Sequence, residues 1–327
     1  WTMEGMGKEN PELLLKVLEK DSGLIKTTAL RQLEKSALGN PKILDQLEAI
    51  SLKLVNNASD KVALQMALST AIFSPDAKTQ MLSEIFENHG NLALIRDAVM
   101  SSLENQEFGF LQKLLASDSW KESNPDREVF LEMLTTAIIN NGESAEISGL
   151  LALTDAQEIG WKESVILTGM AIQASDVEKP GIVTLAAEPA IFNRTDLPLD
   201  QARLSMLKRL FSWPGYQPST TIVSAGNLDE KAMKQFAEGR TKYLTSCAGC
   251  HGNNGKGASR MGPPLAGSEW VVGDEVRLSL IMLHGLEGPI EVAGKKYDAP
   301  EILPVMPSHS TMDDAVIASI LTYIRNE

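Results

Sequence analysis

Along residues 1–212, apolar side chains recur at spacings of three and four, and short polar joints interrupt them again and again. Pro11–Lys20 (PELLLKVLEK) gathers Leu13, Leu14, Val17 and Leu18 on one face, the periodicity of an amphipathic helix. The same pattern predicts helices over Asp21–Ser36, Pro41–Val55, Ser59–Phe73, Pro75–Glu87, Leu92–Leu103, Phe108–Ala116, Asp126–Asn140, Ala145–Leu153, Trp161–Ala174 and Asp200–Phe211. Many starts carry Asn10-Pro11, Asn40-Pro41, Ser59-Asp60, Ser74-Pro75 or Asn124-Pro125. Such side chains accept from the free N–H groups of a first turn, and proline pre-sets φ there. Asp176–Pro198 breaks the pattern and reads as an irregular connection.

Helix pairs of about 35–45 residues with short joints are the mark of an α-solenoid of HEAT or armadillo type. Each pair is amphipathic and buries its apolar face only by stacking on a neighbour. No strict consensus recurs, and an irregular helical domain is the plainer alternative. Residues 213–228 (WPGYQPSTTIVSAGNL) mix Pro, Gly, Ser and Thr with little periodicity, which predicts a linker. Beyond it the helical pattern resumes over Lys231–Ser246 and Asp313–Arg325. The expected fold is all-α: a HEAT-like domain over 1–212, a linker over 213–228 and a second domain over 229–327.

Charge narrows the classes of partner. Residues 1–225 hold 20 Lys and Arg against 30 Asp and Glu, and residues 226–327 hold 10 against 13. That acidity argues against a nucleic-acid partner, whose phosphates call for matching basic residues. No apolar run approaches the roughly 18–20 residues that span a bilayer. The chain opens on Trp1, with no charged n-region and apolar stretch before the first helix, so we expect it to be processed or cut from something longer.

Cys247 and Cys250 are the two cysteines of the chain, and they lie in Cys247-Ala248-Gly249-Cys250-His251. This is the C-x-x-C-H signature of covalent haem attachment. Two thiols with two residues between them match the two vinyl groups on one edge of a porphyrin. The histidine directly after the second thiol then falls under the iron as its proximal ligand. Composition alone would produce the arrangement by chance roughly once in ten thousand. A structural zinc site would want a second Cys/His pair, and a thioredoxin-type motif would want a βαβ setting; the sequence offers neither.

The surroundings agree. Gly239 lies eight residues before Cys247 and Tyr243 four before it; the glycine admits a second helix closely and the ring packs beside it. With the terminal helix carrying Ile317, Ile320, Leu321, Tyr323 and Ile324, residues 229–327 resemble class I cytochrome c, in which the first and last helices cross near a Gly/aromatic contact. Gly262-Pro263-Pro264-Leu265 matches the family's G-P-x-L stretch. The resemblance implies that the Pro263 carbonyl accepts the His251 imidazole N–H, fixing ring orientation and ligand basicity. Gly252–Gly257 would be a flexible loop between them.

The family's sixth ligand is usually a methionine shortly before the last helix, and Met306 stands there, in Pro304-Val305-Met306-Pro307. Flanking prolines forbid helix and stiffen such a loop. Met312 is the main rival, Met261 sits close to the haem motif, and Met282 reads as core filler. His309 would give a bis-histidine iron, and His284 reads as a helix terminus. Histidine–methionine ligation raises the potential and closes the iron to substrates. Tyr243 and Trp270 are candidates for packing on the haem; Trp213, Tyr216 and Tyr297 could line it or a domain interface.

Ser212-Trp213-Pro214-Gly215, GPPLAGSEWVVGD, LHGLEGPIEVAGKKY and IASILTYIRNE together resemble the haem c domain ending large exported bacterial proteins labelled membrane-bound dehydrogenases. In those, a β-propeller of quinoprotein type comes first, then HEAT-like helices, then the cytochrome. Asp298–Pro304 (DAPEILP) lengthens the loop before Met306. The resemblance implies one covalent haem c, a periplasmic or other extracytoplasmic location in a bacterium, and electrons passed from an oxidised organic substrate, a carbohydrate for example. The partner would be a redox protein or an upstream dehydrogenase domain. Two other functions stand beside it: a haem sensor or peroxidase-like protein with an open sixth site, and a helical protein-binding scaffold carrying a redox cytochrome. No catalytic set stands out in residues 1–212.

Overall fold

The computed structural model describes residues 10–20, 23–174, 181–199, 201–218, 228–258, 260–299, 302–303 and 305–327. They fall into two compact units, Trp1–Leu114 and Leu115–Glu327. In the first, α1 (Pro11–Lys20), α2 (Gly23–Ala37), α3 (Pro41–Leu54), α4 (Asp60–Ser69), α5 (Pro75–His89) and α6 (Ala93–Ser101) follow one another, and α7 (Glu107–Ala116) runs to its end. The helices pack through stripes that include Leu18, Leu33, Leu47, Met66 and Met81, all fully buried. Asn40 and Ser74 accept from the backbone N–H groups of Ile43 and Ala77, as the Asn-Pro and Ser-Pro joints predict. Ser59 holds the same position before α4 but makes no side-chain cap bond.

The second unit starts with α8 (Pro125–Asn141), α9 (Ser144–Leu153) and α10 (Trp161–Gln173). Asn124 caps α8 by accepting from Arg127 N–H at 2.9 Å. The helix predicted over Asp200–Phe211 is shorter, α11 (Gln201–Lys208), and Asp200 lies outside the described residues. Phe211–Ser212 forms β2 instead and pairs in parallel with β1 (Val183–Thr184), inside the stretch predicted to be irregular. Burial explains the change: Phe211 is fully buried with its ring 5.7 Å from Phe192, and extended backbone takes it there. Of the predicted linker, residues 219–227 lie outside the described residues. Its start is ordered: Trp213 stacks on Tyr216 at 4.0 Å and their backbones bridge.

The rest of the unit is α12 (Glu230–Ser246), α13 (Ala248–His251), α14 (Glu269–Val272), α15 (Glu275–His284), β3 (Leu286–Glu287), β4 (Ile290–Val292), β5 (Lys295–Tyr297), β6 (Val305–Met306) and α16 (Asp314–Asn326). The all-α expectation holds, since the strands of the described residues make three two-stranded pieces only. The framework is the crossing of α12 and α16 at Gly239. A Cβ there would lie 1.9 Å from the Ser319 carbonyl oxygen and 2.9 Å from Tyr323 Cβ, so only hydrogen fits. Phe236 and Tyr243 pack on the Tyr323 ring from either side, at 5.2 and 5.1 Å.

Candidate haem site

Cys247 closes α12, its N–H donating to the Tyr243 carbonyl at 2.8 Å. The chain then turns at once into α13, which carries Cys250 and His251. His251 is buried, and its Nδ1 lies 2.8 Å from the Pro263 carbonyl oxygen. A carbonyl only accepts, so Nδ1 carries the proton and Nε2 keeps a free lone pair. That is the tautomer a metal needs, set by the bond the other nitrogen makes. Burial holds the imidazole below the ordinary histidine range, opposed by the Pro263 bond, which also keeps the lone pair free of a proton.

Tyr243 and Arg240, one turn apart on α12, secure the backbone after His251. The Tyr243 hydroxyl donates to the Gly252 carbonyl at 2.6 Å. Arg240 donates through Nη1 to the Asn253 carbonyl and to the Tyr323 hydroxyl. The glycine-rich loop expected to be flexible is tied on both sides: Gly257 N–H donates to the His251 carbonyl at 2.8 Å, and Leu265 N–H to the Gly255 carbonyl at 2.7 Å.

Beside α13 opens a cleft lined almost entirely by apolar side chains. Cofactor sites commonly have this kind of lining, with a few polar groups converging on it. Cys247, His251, Pro263, Tyr243, Trp270 and Met306 all face it, so the residues predicted for the site come together. Cys250 joins Cys247, His251 and Met306 around an adjoining, smaller opening. Trp270 is fixed by its indole N–H, which donates to the Glu291 carbonyl at 2.7 Å, and by Arg277 over its ring at 4.7 Å.

Met306 sits on β6, opposite Leu286 of β3. Pro304, one of the two prolines predicted to stiffen it, lies outside the described residues. Among the rivals, Met312 packs against the core and is not part of the cleft lining, whereas Met282 is both buried and part of it. Met261 and His309 line the smaller opening, and burial pushes His309 below its ordinary range. His284 ends α15 on the exposed side. Trp213 and Tyr216 form a separate aromatic group with Phe192 and are not part of the cleft lining. Sequence reasoning missed Ile302 as part of the wall; its predicted loop gave no periodicity. It also missed Glu132, whose pairing with Arg240 no local pattern announces.

Both thiols are half-buried; desolvation first, then the neighbouring Cys250, pushes Cys247 up to about 12. Among the described residues, no three His, Cys, Asp or Glu side chains converge as a metal cluster. No helix there is long and apolar enough to cross a membrane.

The family profile described as Cytochrome c matches residues 236–327. Cytochrome c-552 of Thermus thermophilus is 40% identical over 87 residues, 25% of this chain and 63% of that protein. The Cbb3-type cytochrome c oxidase subunit CcoP of Azospirillum brasilense is 32% identical over 96 residues, 27% of each chain. The chain thus spans less than two thirds of the length of these relatives. The family of the C-terminal region follows from this match and from the crossing helices, the oriented histidine and the apolar cleft: it is a class I c-type cytochrome domain, of the kind that carries covalent haem c.

Proposed function

We propose that the chain holds one haem c and serves as the electron-transfer module of an exported multidomain oxidoreductase. In this reading Cys247 and Cys250 form the thioethers. Through those thioethers the two side chains would hold the group covalently. His251 Nε2 and the Met306 thioether would hold the iron, while Pro263 orients the imidazole. The haem when bound supplies one-electron redox chemistry. The protein supplies position and exclusion of water by the apolar cleft, and His251 and Met306 are the donors that would hold the iron.

The observation that carries the reading is that Cys247, His251 and Met306 share one apolar cleft while His251 Nδ1 is committed to Pro263. Residues upstream are then a HEAT-like helical domain serving as a spacer or binding surface, consistent with the stacked helices of the first unit. The chain by itself is a carrier of electrons, fed by an oxidised organic substrate elsewhere in the parent protein and located outside the cytoplasm, where haem c is attached.

The test is the visible spectrum of the oxidised and reduced protein, including the weak far-red band of a methionine–ferric bond. A band that is present in the wild type and lost in Met306→Ala supports the reading. No such band, with ready carbon monoxide binding to the reduced protein, sinks it in favour of a sensor or peroxidase.

A further inference from the structure

We propose that α8 and α10 are a wall of the cytochrome itself, and that Glu132 on α8 is a positioning residue for the haem-attachment segment, acting through Arg240. This rests on haem attachment at Cys247 and Cys250 as read above.

Three observations from different parts of the unit carry it. The first is an ion pair sealed from water. Arg240 and Glu132 have side chains 3% and 2% exposed, Arg240 Nε donates to Glu132 Oε1 at 2.5 Å and Nη2 donates to Oε2. A two-pronged contact of this kind fixes the guanidinium plane as well as its charge. The remaining nitrogen, Nη1, goes to the Asn253 carbonyl and the Tyr323 hydroxyl. Arg240 is thus a hub: one side grips α8, and the other grips the peptide two residues beyond His251.

The second is a shared core. Val129 of α8 and Ile172 of α10 are buried in the same apolar cluster as Tyr243, Leu244 and Ala248. Ala248 stands between the two cysteines and is fully buried. The third is a pair of polar ties further along the chain. Gln173 Nε2 donates to Thr241 Oγ1 at 3.4 Å, and Arg203 of α11 donates to Glu327 at 2.5 Å.

A buried charge left without its partner is costly, so a buried pair marks a place where two segments are required to stay together. Arg240 carries a full positive charge inside the domain, and Glu132 neutralises it. Low polarizability around both lengthens the reach of an uncompensated charge. Removing the negative charge alone therefore leaves a cation beside the attachment segment, which favours the reduced state of a nearby redox centre.

The experiment uses the full holoprotein. In Glu132→Gln, which keeps shape and loses charge, the reduction equilibrium should move about tenfold towards the reduced form, a positive shift of about 59 mV for one electron. Glu132→Asp should restore most of it. A Glu132→Gln protein with unchanged potential and far-red band, and only a lower melting temperature, overturns the positioning role. A second measurement covers the case in which that variant does not fold. A protease site is inserted between Pro218 and Leu228 of the otherwise wild-type chain, and the cut protein is passed over a sizing column. The two pieces should travel together at the parent's potential. A haem-bearing piece that elutes alone, with the parent's potential and spectrum, overturns the wall. If the wild type carries no covalent haem by mass, the functional reading itself falls; covalent haem with either negative result defeats this inference alone.

Discussion

On the His251 side of the cleft, long helices and buried side chains hold the structure, whereas on the Met306 side two-residue strands and loops do. The imidazole is fixed by Pro263, its own backbone lies in α13, and the segment behind it is tied by Tyr243 and Arg240. Beneath it α12 and α16 meet so closely that Gly239 admits no side chain. Met306, by contrast, is half-buried on β6 beside Val305, which is 53% exposed. That wall hangs on the β3–β6 pairing, on Ser308 Oγ donating to the Leu283 carbonyl at 2.5 Å, and on His309 N–H donating to the Met282 carbonyl at 2.9 Å. Local opening takes the route with fewest buried contacts. The contrast therefore predicts that the His251 side decides whether the domain folds, and that the Met306 side can change with less effect on folding.

The sharpest challenge to that contrast is Gly239→Leu. A branched side chain 1.9 Å from a helix carbonyl cannot be accommodated, so we expect a loss beyond about 4 kcal/mol and no cooperative melt by circular dichroism. A native melting curve would erase the asymmetry. Next is Gly285→Ala on the distal side. Gly285 has φ +79° and its Cβ would lie 2.4 Å from the Met306 carbonyl oxygen. With ψ −174° the backbone lies in a region open essentially to glycine alone, which costs an alanine about 1–3 kcal/mol. The variant should fold, melt lower and weaken the far-red band. Tyr243→Phe should be milder: it strips the donor from the buried Gly252 carbonyl, a cost of about 1–3 kcal/mol in urea unfolding, with the band kept. Smallest on stability, measured on the haem-free chain, is Met306→Ala, at under about 1 kcal/mol for a half-exposed site, while the band of the holoprotein disappears entirely. Should Met306→Ala unfold the domain instead, the distal wall is structural after all.

Acid sharpens the same comparison. Burial holds His251 and His309 below the ordinary histidine range in the folded apoprotein, while an unfolded histidine titrates near about 6.5. Depressed values mean the unfolded chain takes up protons first. Stability from these groups is therefore present above about pH 6.5 and is lost as pH falls through their lower folded values. With His251 Nε2 on a metal, only the His309 share should remain. Urea midpoints across that pH range should fall more steeply for the apoprotein than for the holoprotein.

Much of the proximal side was legible because its parts are close in sequence. The C-x-x-C-H spacing follows from chemistry within one element, whereas the Pro263 acceptor and the Gly239 crossing came from the resemblance that this motif brings with it. Met306 was legible as a position, through its place before the last helix. Glu132 was not, because its partner is 108 residues away and an acidic residue on a helix ordinarily reads as solvated. Phe211 was misread as helical for a related reason: a short apolar run fits helix and strand alike until its burial partner, Phe192, is known. Ile302 escaped because a wall residue in a loop shows no period.

The setting of Cys247 also bears on how fast its bond can form. The thiol is half-buried on the wall of the cleft and is pushed up to about 12, chiefly by desolvation. A protonated thiol is a poor nucleophile. A folded apoprotein mixed with free haem should therefore form a thioether at Cys247 slowly at neutral pH and faster in alkali.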